Sequence, residues 1–249
     1  TSTLSLSLLS IIIYRLSEDF IEDERKRLIA TFGFAFGTLL THYGTMFLPN
    51  AVVTLFSFSA FYLIYKQDKY NPKTLLYSGI LLGFGFVIDP TAAPVAGATF
   101  IYTLIKYRQI PYTYVLGGFI GALPLLIYNT VLFGYPWMLP RFFLDPALYP
   151  NIQQSASAIP MLTEQGFRLN PVKLFFVNLR LLFFPYRGIF YWFPFLIVSF
   201  FGLRELIDKD REVASALGIT AIGILYMVSG WWAWWMGRFF GARYLSVLI

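Results

Sequence analysis

The sequence lacks cysteine, contains a single histidine and has few charged side chains: Asp, Glu, Lys and Arg make up 13% of its 249 residues. A soluble domain usually carries about 25% charged residues, so these charges are too few to cover the surface of a soluble globule. Without cysteine there are no disulfides or cysteine-ligated metals, and one histidine argues against a His-ligated site. Walker, GxGxxG, HExxH and nucleophile-elbow motifs do not occur in the sequence, and we expect no nucleic-acid partner.

Apolar residues dominate instead, with 57% hydrophobic and 20% aromatic residues. They form long unbroken runs, which predict an all-α, polytopic membrane protein. We expect seven complete spans, at 28–48, 50–65, 74–88, 90–105, 112–133, 188–203 and 213–229. Shorter apolar runs at 4–14 and 244–249 resemble partial spans, so residues 1–249 are expected to be a single membrane domain that is incomplete at both ends.

Four loops together hold 12 of the 19 Lys and Arg residues: 15–27, 66–73, 106–110 and 204–212. The positive-inside rule predicts that these loops are cytoplasmic. They fall on one side only if 28–65 and 74–105 are helical hairpins, the second of which turns at Asp89 and Pro90. In that turn we expect Asp89 to cap the second helix and Pro90 to occupy its first position.

The remaining loops, which we expect to face the outside, hold the other seven basic residues and only three acids. The bases are Arg141, Arg168, Lys173, Arg180, Arg187, Arg238 and Arg243, and the acids are Asp89, Asp145 and Glu164. Seven bases and three acids give the outer side a net charge of +4, whereas the cytoplasmic loops have 12 bases and 10 acids. This excess suits an anionic ligand such as a phosphate, and contact with lipid headgroups explains it equally well.

The longest loop, at 134–172, contains several prolines and is expected to lie outside. An apolar stretch at 173–184 follows it and is too short to span, so it predicts an interfacial or re-entrant helix. Lys173 and Arg180 are seven residues apart and share one face of that helix. This basic stripe either lines a groove for a lipid phosphate or snorkels at the interface, and the second interpretation is slightly favoured.

Three segments resemble motifs of the GT-C superfamily of polytopic membrane glycosyltransferases. Residues 234–245, WWMGRFFGARYL, are similar to its WWxGxxFGPRYL signature, with Ala242 where proline is usual. Residues 185–189, PYRGI, with Pro194 beyond them, resemble an SPxRGL segment at the start of a span. Residues 128–136, YNTVLFGYP, resemble a YNxxxFGxP segment that ends a span. Their order also matches the family.

This resemblance, which is nearest to the protein mannosyltransferases, implies a GT-C-like fold and a hexosyl or pentosyl transferase. Such enzymes take a sugar from a polyprenyl-phosphate carrier, such as a dolichyl-phosphate sugar. They deliver it to a protein, lipid or glycan acceptor on the outer face of the membrane. The usual catalytic acid of the family lies in its first outer loop, which we expect upstream of residue 1, so the base is not assigned here. A requirement for a divalent cation (Mg²⁺ or Mn²⁺) stays open, because the outer loops contain no Asp-x-Asp pair.

Transfer from a sugar phosphate needs a carboxylate to take the proton of the acceptor and positive charge to stabilise the departing phosphate. Arg243 is the first candidate for the phosphate, followed by Arg187, which lies at the Arg of its motif, and Arg238. Ion pairing or helix capping would also explain an arginine at these positions. Further substrate-binding candidates are Trp234, Trp235, Tyr244, Asn129 and Glu164. An aromatic belt would equally explain the tryptophans, and interhelical hydrogen bonding would explain Asn129.

Asp89 and His42 are weak candidates for proton transfer, because a structural role accounts for each. A helix cap is the favoured interpretation of Asp89, and a lone histidine at a helix end is more often structural. Two other functions are consistent with the sequence. One is a non-catalytic subunit or scaffold of a membrane complex, and the other is a transporter of lipid-linked sugars. The transporter is the third choice, because polar residues gather at the outer edge rather than at mid-membrane.

Overall fold

A computed structural model of the chain describes residues 2–46, 48–136, 170–230 and 245. Within these ranges the chain forms α-helices and one short 3-10 helix (Pro194–Ile197), without a strand. The α-helices are α1 (Ser2–Ser17), α2 (Glu24–Gly37), α3 (Leu39–Thr45), α4 (Asn50–Tyr65), α5 (Pro72–Ile88), α6 (Ala92–Tyr107), α7 (Tyr112–Phe133), α8 (Pro171–Phe183), α9 (Ile189–Trp192), α10 (Val198–Lys209) and α11 (Arg211–Gly230). The all-α prediction is confirmed for the described residues.

Two helices, α7 and α11, are long and apolar enough to cross a membrane by length and composition. The helices α1, α4 and α5 are also apolar but shorter. The predicted bounds of two spans, 50–65 and 112–133, coincide with α4 and α7. The total of seven complete spans stays a prediction.

Two predicted spans are wrong as continuous helices. The span at 28–48 breaks at Thr38, whose backbone is extended and whose hydroxyl donates to the carbonyl of Phe34 at 2.9 Å. This side-chain hydrogen bond offers the helical carbonyl an alternative partner. The span at 188–203 is divided into α9, the 3-10 helix and α10, because Pro194 has no amide hydrogen and its ring clashes with the preceding turn.

The helices α5 and α7 touch through their backbones. Gly79 and Gly83 of α5 face Gly117 and Gly121 of α7, and a Cβ atom on any of the four would overlap a backbone carbonyl oxygen of the other helix. Gly79 lies beside residues 114–118 and Gly83 beside residues 118–122, so the two helices run in parallel. Small residues allow this close approach, which gives extensive van der Waals contact.

The four basic loops meet at one end of the helix bundle, which we call the basic end. The Lys66 ammonium lies 2.6 Å from Oδ2 of Asp19, and this hydrogen bond raises the pKa of Lys66. The Lys209 ammonium donates to the backbone carbonyl of Asp19 at 2.7 Å and lies over the ring of Phe20. These contacts connect 15–27, 66–73 and 204–212.

The fourth basic loop joins the basic end through Lys106, in the last turn of α6. Its ammonium donates to the carbonyls of Ile64 and Tyr65, at 3.1 and 2.7 Å, where α4 ends. It also lies 5.5 to 5.8 Å from the ring centroids of Tyr65, Tyr102 and Tyr107. The ammonium group therefore hydrogen-bonds to carbonyls at the end of α4, where helical carbonyls have no partner within their own helix. Three tyrosine rings surround it as an aromatic cage. All four loops share one end, as the predicted hairpins require.

Replacing Gly121 with alanine is expected to destabilise the protein by about 2 kcal/mol, since its methyl group would overlap the carbonyl of Ile80. Gly97 of α6 is the matched control, because no heavy atom lies within 4 Å of a Cβ built there. Gly97→Ala should be neutral or slightly stabilising, as alanine favours helices. Thermal unfolding of the purified protein in detergent measures both, and equal midpoints for the two variants would contradict the tight contact.

Replacing Lys106 with methionine is expected to destabilise the protein by about 2 kcal/mol, since it removes two charge-assisted hydrogen bonds and the contacts to three rings. Lys69→Met is the control, because Lys69 is exposed at the same end. We expect its unfolding midpoint to stay within a degree or so of the wild type, as exposed lysines contribute little. An unchanged midpoint for Lys106→Met would show that the cage does not stabilise the basic end.

Candidate functional site

The sequence-predicted site residues that the structure describes lie at the end of the bundle opposite the basic end. Asp89 follows α5, which starts beside the basic end, and Asn129 is near the end of the parallel helix α7. His42 lies in α3, before the turn that leads into α4. Arg187 lies on the turn between α8 and α9, at the start of the segment that returns to Lys209. The helix directions thus bring four separate parts of the chain to one end.

Asp89 is buried, with 7% of its surface exposed, and its side chain shapes the turn between α5 and α6. Its Oδ1 accepts the amide of Thr91 at 2.9 Å, and its backbone carbonyl accepts the amide of Ala92 at 3.1 Å. The predicted cap of the second helix is wrong, because Thr91 is the N-cap residue of α6, whereas Asp89 ends α5 and holds the turn through its side chain. The prediction for Pro90 is wrong, because this turn keeps residues 90 and 91 outside the helix and α6 begins at Ala92. No other hydrogen bond or ion pair of Asp89 lies within the described residues, so Oδ2 can accept a ligand proton.

Arg187 is also buried, with 5% of its surface exposed. Its guanidinium carbon lies 4.7 Å from the centre of the Tyr186 ring. The turn that carries it is tight: the amide of Gly188 donates to the carbonyl of Phe184 at 2.6 Å, and a Cβ on Gly188 would overlap that backbone. A buried guanidinium needs polar or anionic partners to offset the loss of water. Arg187 is thus suited to a phosphate or a carboxylate.

Asn129 holds the chain where α7 ends. It is 1% exposed, and its Nδ2 donates to the carbonyl of Pro136 at 3.0 Å. Gly134 between them adopts a left-handed conformation, with φ of +80°, which reverses the chain. The interhelical interpretation required a hydrogen bond to another helix. Nδ2 of Asn129 instead binds the loop that follows its own helix. Its Oδ1 is buried and has no hydrogen-bond partner among the described residues.

His42 is half-buried and packs edge-on against Tyr43, with ring centroids 5.5 Å apart. Tyr43 itself is fully buried in the main hydrophobic core. This packing fixes the imidazole beside the turn that leads into α4 and is consistent with the structural interpretation. It also leaves the histidine at the same end as Asp89.

Six candidate residues lie outside the described residues: Glu164, Trp234, Trp235, Arg238, Arg243 and Tyr244. Leu245, the last residue of the signature segment, is described and is fully buried. It belongs to the same core as Val177 and Leu181 of α8 and Val228 of α11. Within the described part of the chain, no group of three or more His, Asp or Glu side chains could hold a metal ion.

A cavity of about 130 Å³ lies between α1, α2, α4, α6 and α11, and no pattern in the sequence predicts it. Its walls are largely apolar, and they include the hydroxyl-bearing residues Thr54, Ser57, Thr99 and Thr220. Ser57 is buried, and its hydroxyl has no hydrogen-bond partner among the described residues. None of the predicted site residues lines this cavity. Only the tertiary arrangement of five helices creates it.

A family model described as dolichyl-phosphate-mannose-protein mannosyltransferase matches residues 1–128, just over half of the chain. No curated protein and no solved structure matches the sequence. The matched region comprises α1 to α6 and most of α7, so it contains His42 and Asp89 but neither Arg187 nor the signature segment. The two arginine-containing motifs, at 185–189 and 234–245, lie outside the matched residues. The match is therefore independent support for the resemblance that those motifs indicated.

Two substitutions of Asp89 distinguish the structural role of its side chain in the turn from any chemistry of its carboxylate. Asp89→Asn retains an oxygen that accepts the Thr91 amide, so its stability should stay close to that of the wild type. Asp89→Ala removes the acceptor and should cost about 1 kcal/mol. Asp68→Ala, at an exposed position, is the control and should leave the unfolding midpoint unchanged. Equal losses for Asn and Ala at position 89 in thermal unfolding would show that the hydrogen bond to the Thr91 amide does not stabilise the turn.

Proposed function

The chain belongs to the dolichyl-phosphate-mannose-protein mannosyltransferase family, and from this membership we propose that it transfers a sugar from a polyprenyl-phosphate carrier to a protein, lipid or glycan acceptor. The family consists of membrane glycosyltransferases of the GT-C type. Its dolichyl-phosphate-sugar donor is the first candidate for the donor of this chain. The match over residues 1–128 is the observation that carries the proposal.

The difference between the two ends of the bundle supports a location for the reaction. At the basic end, Lys66, Lys106 and Lys209 are engaged with Asp19 or with backbone carbonyls. The opposite end contains Asp89 and Arg187, which are buried, polar and close to turns. If the basic end faces the cytoplasm, as the positive-inside rule predicts, the reactive end faces the extracytoplasmic side of a multi-pass integral membrane protein.

The proposed reaction is a displacement at the anomeric carbon of the donor sugar. The nucleophilic atom of the acceptor forms a bond to that carbon, and the bond from the carbon to the carrier phosphate breaks. The phosphate oxygen keeps the electron pair, and a carboxylate takes the proton of the acceptor. Arginine stabilises the charge that develops on the phosphate, because its planar fork matches two phosphate oxygens and stays protonated.

Arg243 and Arg187 are the proposed phosphate ligands, with Arg238 beside them. Arg187 is supported by its burial on a turn that glycine and proline make rigid. Trp234, Trp235 and Tyr244 are proposed to stack on the sugar or on the isoprenoid tail. Asn129 and Glu164 complete the proposed polar contacts with sugar or acceptor.

The proton acceptor is not assigned by the family match. Asp89 is the described carboxylate best placed for it, because its Oδ1 is fixed by Thr91 while Oδ2 has no partner within the described residues. His42, at the same end, is the second candidate. Asp89→Asn tests this role, since it retains the hydrogen bond to the Thr91 amide and removes the base.

Transfer of labelled mannose from dolichyl-phosphate mannose, by the full-length protein in membranes, tests the proposed function. We expect Arg243→Ala and Arg187→Ala each to lower kcat/KM by about 100-fold or more, because each removes a charge that acts on the leaving phosphate. Arg187→Lys keeps the charge but not the fork and should recover part of the loss. Lys69→Ala, at the basic end, should retain full activity.

Two outcomes would replace this proposal. Unchanged glycan products in cells that carry Arg243→Ala, Arg187→Ala and Asp89→Ala together would indicate a scaffold in a membrane complex. Movement of labelled donor across the membrane without any transfer to acceptor would indicate a transporter. Unfolding midpoints of each variant distinguish lost chemistry from lost folding.

A further inference from the structure

The helix α8 is short and well delimited. It contains 13 residues, which corresponds to a length of about 20 Å, whereas the hydrocarbon core of a bilayer is about 30 Å thick. Oδ1 of Asn170 accepts the amides of Val172 and Lys173, at 3.1 and 3.2 Å, and Pro171 occupies the first turn. Phe184 ends the helix with extended backbone. A helix so short and so firmly capped cannot cross the membrane.

Three strips run along α8, and each has a different chemical character. Val177 and Leu181 form the first strip and are buried in the main core. Val172, Phe176 and Phe183 form an exposed apolar strip. At 100° per residue, this strip lies about 140° from the buried one and faces away from the core.

The third strip is basic. Lys173 and Arg180 are both exposed and are two turns apart, so they lie on one line along the helix. That line falls between the buried and the exposed apolar strips. The sequence of α8 contains no acidic residue.

Such an arrangement fits a helix that lies flat at the edge of a bilayer. One side packs on the protein, the side facing away contacts acyl chains, and the flank between them faces the headgroups. The position of α8 agrees with this, because it packs against α11 and continues into the turn of Arg187, at the end of the bundle opposite the basic end.

We propose that α8 lies in the plane of the membrane interface, with Phe176 and Phe183 among the acyl chains and with Lys173 and Arg180 bound to headgroup phosphates of anionic phospholipids. This surface is separate from the candidate residues for sugar transfer. The helix runs directly into the turn that carries Arg187, so lipid contact also sets the height of that turn relative to the bilayer.

The depth of α8 can be measured directly, because the sequence contains no cysteine and a single spin label can be introduced. Phe176→Cys is labelled in the full chain, which is reconstituted in phosphatidylcholine with and without phosphatidylglycerol. Two exposed positions serve as references: Phe119→Cys on α7 for the bilayer interior, and Asp68→Cys at the basic end for water. Collision rates with oxygen and with a water-soluble nickel complex report the depth.

We expect the Phe176 label to collide with oxygen more than the Asp68 label does and to lie shallower than the Phe119 label. Accessibility to nickel as high as at Asp68 would overturn the proposal. A label that is shielded from both reagents would also overturn it, because that result indicates a protein partner on α8. The unlabelled parent and the unfolding midpoint of each variant confirm that the chain is folded.

The basic strip is tested by Lys173→Gln and Arg180→Gln. Bound phosphatidylglycerol and phosphatidylcholine are counted after purification from mixed bilayers. We expect the preference for phosphatidylglycerol at this surface to fall about fivefold for each charge removed, since a basic residue near an anionic surface contributes about 1 kcal/mol. Lys69→Gln is the matched control for a charge at the basic end. Unchanged lipid preference in the double variant, or displacement of the lipid by inorganic phosphate alone, would contradict binding of lipid headgroups.

Discussion

Backbone contact between α5 and α7 is the constraint on which the rest of the bundle depends. Lipid tails are as apolar as leucine, so helices in a membrane gain little from burying apolar surface and depend on close van der Waals contact. Four glycines provide that contact here. Because α5 and α7 run in parallel, α6 must return between their ends, and its two turns fall at opposite ends of the bundle. The positions of Asp89 and Asn129 follow from this geometry.

The two ends of the bundle are held by different means. Ion pairing and cation contacts close the basic end, where Lys66, Lys106 and Lys209 each reach a partner from a distant segment. At the opposite end, Ser2 and Thr3 connect distant segments by donating to the carbonyls of Leu48 and Gly44. Local turns there hold Asp89 against the Thr91 amide and Asn129 against the Pro136 carbonyl. Interactions of the first kind connect helices to one another, whereas those of the second kind set individual side chains. An active site needs this second kind of control, because reacting groups must be held in a defined direction.

Features of the fold that depend on neighbouring residues in the chain, such as helix ends and turns, could be predicted from the sequence. The bounds of α4 and α7 follow from where apolar runs meet polar residues, and the turn at Asp89 and Pro90 follows from the preference of these residues for turns. Thr38 and Pro194 interrupt apolar runs that hydrophobicity alone would continue. The partners of Lys106 were not predictable, because they come from a helix about forty residues away in the chain. The same is true of the glycine contact, which depends on two helices at once.

The headgroup level of the membrane connects the proposed chemistry with the proposed lipid contact. A polyprenyl carrier keeps its isoprenoid tail in the hydrocarbon core and its phosphate at the headgroups, so side chains that recognise the phosphate must be at that level. A flat interfacial helix is fixed at this level by its own amphipathic surface. Since α8 continues into the turn of Arg187, lipid contact along α8 would set the height of that arginine relative to the bilayer. A glycosyltransferase of this kind would thus locate its donor by depth before any specific contact with the sugar is made.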